Sequence, residues 1–456
     1  MKKSSPFSIS NIRCFIAFRL FFNCRFYYPV FTILFLDYGL TIEQFALLNS
    51  VWAATIVAAE VPSGALADLV GRKKLLLATS VLMILEMALL AFVPLESISL
   101  VFWAFLLNRV LSGLAEAMAS GADEALAYDS LLVQGDKDDW PSVLSMLMRI
   151  SALGSVLTMS FGALVYDPQI INTILAFSGS TLQVDQQTTM RFPVYLTLLL
   201  GLASCATVLL MRETEDTSGS STQPAQHFRS ILRASRLTLQ AGKWILQTPF
   251  ALVIILFAMG YDHVLRMVIT MTSRYFRQIQ LPEATFGFIG AGMALVGLVV
   301  PKLAERMVAR FTPQQNAVWL ALLSFMALCG IAAFVPYWGL LPMLLVPAGM
   351  LLTSFFTSHY LNRITPSHQR ATVLSFKGMA FNLAYGLIGL GFATLIASIR
   401  KLNSTAYPEM TETLVENASF QTALVWFIPY LAVVLVLTTL LAHFLLRKTT
   451  LHHHKG

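Results

Sequence analysis

Twelve stretches of mostly apolar residues recur along this chain, each of the roughly 20 residues needed to cross a hydrocarbon layer of about 30 Å. They run approximately over 14–37, 42–66, 74–95, 98–124, 142–166 and 192–211, then over 250–275, 284–308, 316–336, 338–360, 373–398 and 420–446. A chain so patterned has little choice of fold, because lipid offers no partner for backbone polar groups and a helix satisfies them within its own segment. The expected class is all-α, a polytopic membrane protein with twelve transmembrane helices. Composition agrees: 56% of residues are hydrophobic and 12% charged, against roughly 25% charge in an ordinary soluble domain.

The first stretch contains Arg19 and Arg25, is too long for a signal-peptide core and has no small-residue cleavage site, so it is expected to be the first span. The net charge of +7 does not gather into a nucleic-acid patch. Basic residues occupy alternate short loops instead: Lys2, Lys3 and Arg13, then Arg72, Lys73 and Lys74, then Arg212, Arg229, Arg233, Arg236 and Lys243. Arg306, Arg310, Arg363, Arg370, Arg447 and Lys448 continue the alternation, with Arg191, Arg400 and Lys401 as exceptions. The positive-inside rule then places both termini in the cytoplasm, and a bacterial inner (cytoplasmic) membrane is the expected location. Cys14, Cys24, Cys205 and Cys329 all fall within spans and have no metal-ligand spacing, so they read as packing residues. No cofactor or metal is expected, although the His452 to His454 run could hold a metal adventitiously. Sequons at Asn403 and Asn417 fall in an expected external loop.

Six spans lie on either side of the longest polar interruption. The expected division is a six-helix bundle over 1–211, a linker with an amphipathic surface helix over 212–249, and a second bundle over 250–456. An internal repeat supports duplication. Ser142-Val143-Leu144-Ser145-Met146 opens the fifth span, and Thr372-Val373-Leu374-Ser375-Phe376 opens the eleventh. Ala127-Tyr128 and His359-Tyr360 close the spans before them.

Between spans 2 and 3 stands Gly64-Ala65-Leu66-Ala67-Asp68-Leu69-Val70-Gly71-Arg72-Lys73-Lys74. Glycines permit a tight turn, Asp68 suits helix-end N–H groups, and the basic cluster holds the loop inside. This loop resembles the G-x-x-x-D-[RK]-x-G-R-[RK]-[RK] signature of the major facilitator superfamily, departing at Leu69. The resemblance implies two pseudo-symmetric six-helix bundles that alternate access to a central cavity lined by helices 1 and 7. It also implies a gate latch at Gly64, Asp68, Gly71 and Arg72. Glu60, Asp123, Glu124 and Asp129 fall near that gate and are expected to pair with basics such as Arg72. Asn108-Arg109 with Gly113 is similar to the R-x-x-x-G element tied to proton coupling in span 4. The central G-P of the span 5 antiporter signature is absent from Gly154 to Gly162, which weakens a drug/proton antiporter reading.

A charge at the bilayer centre costs on the order of 3 kcal/mol or more unless paired or hydrated, so each is a candidate site residue. Arg25 lies in span 1, Arg109 and Glu116 in span 4, and Asp262, His263 and Arg266 in span 7. Pro29 and Gly260 could loosen spans 1 and 7 beside these charges. Asp262 and Arg266, four apart, share a helix face, and Arg109 and Glu116, seven apart, nearly eclipse. Each couple is either a static ion pair or a proton relay in which Asp262 or Glu116 titrates beside its arginine. Arg25 suits a carboxylate or phosphate on a substrate, or an interhelical partner in Glu86 or Glu116. Arg149 and Lys377, within the first two turns of their helices, either add positive charge to the site or snorkel to the cytoplasmic interface, and His263 is either a proton carrier or a packing residue.

The expected function is therefore secondary active transport, proton-coupled, of a small organic solute that is anionic or zwitterionic. The partners are that solute, protons and the lipid bilayer, with no nucleic acid, and a monomer is expected. Export is slightly ahead on what the family commonly does, while uptake, uniport and a non-transporting sensor remain alternatives. No Walker A loop, nucleophile–base set or H-E-x-x-H pair is present, so an enzyme is not expected.

Overall fold

The computed structural model describes residues 5–120, 122–213, 242–365 and 370–453, and every regular element among them is helical. In the first half α1 is Ser10–Asn23, α2 Phe31–Asp37, α3 Ile42–Val70, α4 Arg72–Phe92 and α5 Ile98–Ala119. There follow α6 Ala122–Gln134, α7 Trp140–Tyr166, α8 Pro168–Phe177, α9 Gln186–Thr189 and α10 Phe192–Leu210. In the second half α11 is Pro249–Thr270, α12 Thr272–Gln278, α13 Phe286–Arg310, α14 Pro313–Ala332 and α15 Leu340–Met343. The last four are α16 Leu345–Ile364, α17 Arg370–Ala406, α18 Glu412–Val425 and α19 Phe427–His453. Among the described residues, eleven helical stretches are long and apolar enough to cross a membrane. The first of the twelve expected crossings is the one divided between α1 and α2.

That division falls within the apolar stretch 14–37 around Pro29, the residue expected to loosen the first span. Pro29 has no N–H to give and blocks a regular helix through this point, and the freed backbone groups find other partners. Phe26 N donates to Thr197 Oγ1 at 3.1 Å, and a short 3₁₀ turn over Tyr28–Val30 restarts the chain. A Cβ added to Gly162 of α7 would collide with the Phe26 carbonyl, so only glycine lets α7 approach the break this closely. Gly260, the other residue expected to loosen a span, sits inside the unbroken α11.

Sequence signals explain where helices start. Ser97 caps α5 by accepting from Leu100 N, and Thr312 and Gln315 form a capping box on α14. Pro168, Pro249 and Pro313 open their helices at a position where the missing donor costs nothing. Between α3 and α4 the turn is concentrated at Gly71, whose φ of +98° favours glycine. α3 is helical through the expected loop as far as Val70, so the signature segment is mostly helix.

The described residues divide into two compact units. One lies within Met1–Thr41, Val51–Ser235 and Pro282–Ala291, the other within Ile42–Ser50, Arg236–Leu281 and Gly292–Gly456. The first unit has a core of Phe18, Phe22, Leu75, Leu76, Met83 and Leu126, drawn from α1, α4 and α6. The two valines of the sequence repeat are each buried in their own unit. Val143, fully buried, packs with Ile12, Phe15, Ala127 and Leu131, and Val373, fully buried, packs with Ile245, Ala251, Ile255 and Leu361. The expected amphipathic helix, with Arg229 and Arg233, lies outside the described residues.

Candidate functional site

In the first unit the break after α1 carries Arg25 into the interior. Its Nη1 lies 2.5 Å from Glu86 Oε1 of α4 and donates to Tyr27 Oη at 3.0 Å, with side-chain exposures of 3% for Arg25 and 0% for Glu86. Desolvating both charges is costly, and their mutual contact offsets it. Glu86 Oε2 and Arg25 Nε remain buried without a hydrogen bond. Asn108 extends the cluster by donating from Nδ2 to the Glu86 carbonyl at 2.8 Å. Its Oδ1 accepts from Arg109 Nε and Nη2 at 2.9 and 2.7 Å. The Arg109 guanidinium also lies 5.5 Å from the ring centroids of both Phe31 and Phe35, a cation–π arrangement.

Arg109 and Glu116 are thus not an ion pair. Seven residues along α5 separate them by about 10 Å of rise, and a shared face does not bring the heads together. Glu116 is exposed on a helix whose neighbouring Ala115 and Ala117 are buried. Arg149 is exposed on α7.

In the second unit α11 is the most enclosed membrane helix, 67% buried, against 11% for α7. Its mid-helix charges therefore belong to the interior. Asp262 Oδ2 lies 2.8 Å from Arg266 Nη2, with side chains 10% and 25% exposed. Arg266 Nη1 donates to Asn382 Oδ1 of α17 at 3.0 Å, and its guanidinium stands 5.6 Å from the Tyr385 ring centroid. Lys377, on the same helix, is electrostatically coupled to Asp262 and stacks over Phe381. His263 points elsewhere. Its Nδ1 meets the Met259 carbonyl, and Nε2 lies 2.9 Å from Tyr430 Oη on α19. This is the bonding of a satisfied packing histidine, with the nearby Asp262 turned to another face.

Of the expected latch, Arg72 pairs with Asp129. Gly71 is the turn itself, while the surroundings of Gly64 and the side chain of Asp68 lie outside what the structure describes. Asp123 and Glu124 pair with Arg19, at 2.6 and 3.0 Å, instead of with Arg72. Glu60 has a buried Oε2 without a hydrogen bond, and no ion pair of Glu60 with Arg72 occurs among the described residues. Arg400, an exception to the charge rule, contacts Glu43 and Glu416 at 3.0 Å each, which accounts for its position. Both sequon asparagines are engaged: Asn403 Nδ2 donates to Ser419 Oγ at 3.0 Å, and Asn417 Oδ1 accepts from Arg274 Nη2 at 2.6 Å. The described residues contain no cluster able to hold a metal ion.

Glu86, Asn382 and Arg19 are the partners that sequence reasoning passed over or left open. Glu86 and Asn382 stand as isolated polar residues within apolar runs, the one signal that marks them.

The profile of the Major Facilitator Superfamily matches residues 13–389. Comparison with curated protein sequences found no match. Solved structures share the fold over nearly their whole length. A bacterial homologue of the human lysosomal transporter Spinster is 14% identical with a TM-score of 0.70, covering 98% of this chain and 99% of that one. The nucleoside transporter NupG is 13% identical with a TM-score of 0.67, covering 96% and 99%. A D-xylose-proton symporter is 13% identical with a TM-score of 0.63, covering 93% and 97%.

Proposed function

This chain belongs to the Major Facilitator Superfamily, and from that premise we propose that it is a proton-coupled secondary carrier for a small organic solute bearing a carboxylate or phosphate. The observation that carries the reading is the Asp262–Arg266 pair within α11, the most enclosed crossing. Arg266 is the more exposed partner of the pair, and Lys377 adds a second positive charge. With Asp262 ionised the three groups sum to +1, and with Asp262 protonated to +2. A proton on Asp262 therefore releases Arg266 to meet an anion, and the two ligands favour each other's binding by the same factor.

Mutual reinforcement of this kind suits co-transport, in which proton and solute cross together. It favours uptake down the proton gradient over the efflux expected from the sequence. A fold relative described as a D-xylose-proton symporter supports coupling of this type. Glu116, exposed on α5, is a second acid within the membrane and a candidate relay. Asn108 and Arg109, fixed by one another and by Glu86, position that helix, and Arg72–Asp129 acts as a latch. His263 takes no part in coupling. Both termini face the cytoplasm in an inner membrane, as the distribution of basic loops supports, and the carrier acts as a monomer.

A ligand panel read by thermal stabilisation tests the solute class. Small carboxylates, sugar phosphates, neutral sugars, nucleosides and organic cations are each added to the purified protein and to Arg266→Gln. The proposal expects an anionic compound to raise the melting midpoint of the wild type and to lose that effect in R266Q. A neutral or cationic compound that stabilises both proteins equally, with no anion doing so, would remove the anionic reading.

A further inference from the structure

The second unit contains a cavity of about 620 Å³ bordered by α11, α14, α16 and α19, away from the face of α11 that carries Asp262 and Arg266. Its size falls within the roughly 300–1,000 Å³ of small-molecule sites. Its lining is graded. The four helices reach one end of the unit together, where Gln314, Tyr360, His443 and Arg447 surround the opening. One to three turns deeper the walls are Phe257, Ala258, Leu320, Ala321 and Leu435, with no charge. Thr439, His443 and Arg447 recur every four residues and so form one polar stripe of α19 along the cavity.

One buried group in this wall is incompletely bonded. Asn316, 0% exposed, donates from Nδ2 to Tyr360 Oη at 2.7 Å, yet its Oδ1 has no hydrogen-bond partner. Burial of an unsatisfied acceptor costs about 1–3 kcal/mol, so the site is built for a ligand that brings a donor. Positive charge at the opening comes from Arg447, on the same stripe of α19 as His443.

We propose that this cavity is a binding site for a membrane glycerophospholipid with an anionic, hydroxyl-bearing headgroup, of which phosphatidylglycerol is the test case. An acyl chain fills the uncharged depth. The phosphate sits between His443 and Arg447, and a headgroup hydroxyl donates to Asn316 Oδ1. Charge at the opening and apolar walls below reproduce the polarity profile of one membrane leaflet, which a water-soluble phosphate compound does not match. The site is separate from the proposed solute site and makes transport sensitive to bilayer composition.

Native mass spectrometry of the full chain in mild detergent tests this, with phosphatidylglycerol, phosphatidylcholine or inorganic phosphate added. Phosphatidylglycerol is expected to remain bound at one equivalent, while phosphatidylcholine and inorganic phosphate wash away. Arg447→Gln should weaken phosphatidylglycerol retention about fivefold, as befits one basic residue at a membrane surface. Ala321→Trp, which fills the depth and touches no polar partner, should abolish it. Equal retention of both lipids by the wild type, or unchanged phosphatidylglycerol retention in R447Q, would overturn the assignment. If Ala321→Trp does not fold, the R447Q comparison decides alone.

Discussion

Arg25 and Glu86 illustrate what a buried charge requires. Each side chain is almost wholly enclosed and they lie 2.5 Å apart, so removing one leaves the other uncompensated. Arg25→Ala is therefore predicted to destabilise the protein by about 3–5 kcal/mol, the usual result of breaking a buried pair. Arg25→Met combined with Glu86→Met should recover much of that loss, because well-packed apolar replacements remove both desolvation costs. Melting midpoints of the three variants check this, and an Arg25→Ala protein as stable as the wild type would refute it. Read alone, Arg25 admits a substrate anion or an interhelical partner, and the partner chosen lies 61 residues away on another helix. No helical spacing reveals such a pairing. Asp262 and Arg266 were legible because a separation of four residues fixes them on one face of one helix, and Asn382 was not because it reaches them from α17.

At the scale of elements, apolar run length located the crossings well and their internal geometry poorly. The break after Asn23, the division of α18 from α19 and the continuation of α17 to Ala406 leave the apolar run unchanged and depend on who packs against the backbone. Gly162 is the clearest instance, since its missing side chain makes room for the Phe26 carbonyl. Gly162→Ala is predicted to cost about 1–3 kcal/mol by overpacking at the break. Gly292 in α13 provides the contrast, because a Cβ there meets nothing within 4 Å. Gly292→Ala should leave stability unchanged or raise it by about 0.5–1 kcal/mol through helix propensity. Equal effects of the two substitutions on the melting midpoint would show that the close approach at Phe26 does not constrain the fold.

At the scale of the whole molecule, the family was readable from a short loop and twelve apolar runs because both follow from chemistry the bilayer imposes on every such chain. Val143 and Val373, which open the fifth and eleventh apolar runs with similar sequences, are each fully buried within their own unit. The solute was not readable, because a binding site assembled from several helices leaves no contiguous motif in the sequence. Coupling through Asp262 is the claim on which the account turns. Its most direct test reconstitutes the protein in liposomes containing a pH-sensitive dye and applies each anionic solute of the stabilising panel without an imposed gradient. At least one solute should drive protons inward with the wild type, while Asp262→Asn, equally stable, should carry solute without moving protons or carry none. Solute-driven proton movement that persists undiminished in Asp262→Asn would contradict the account.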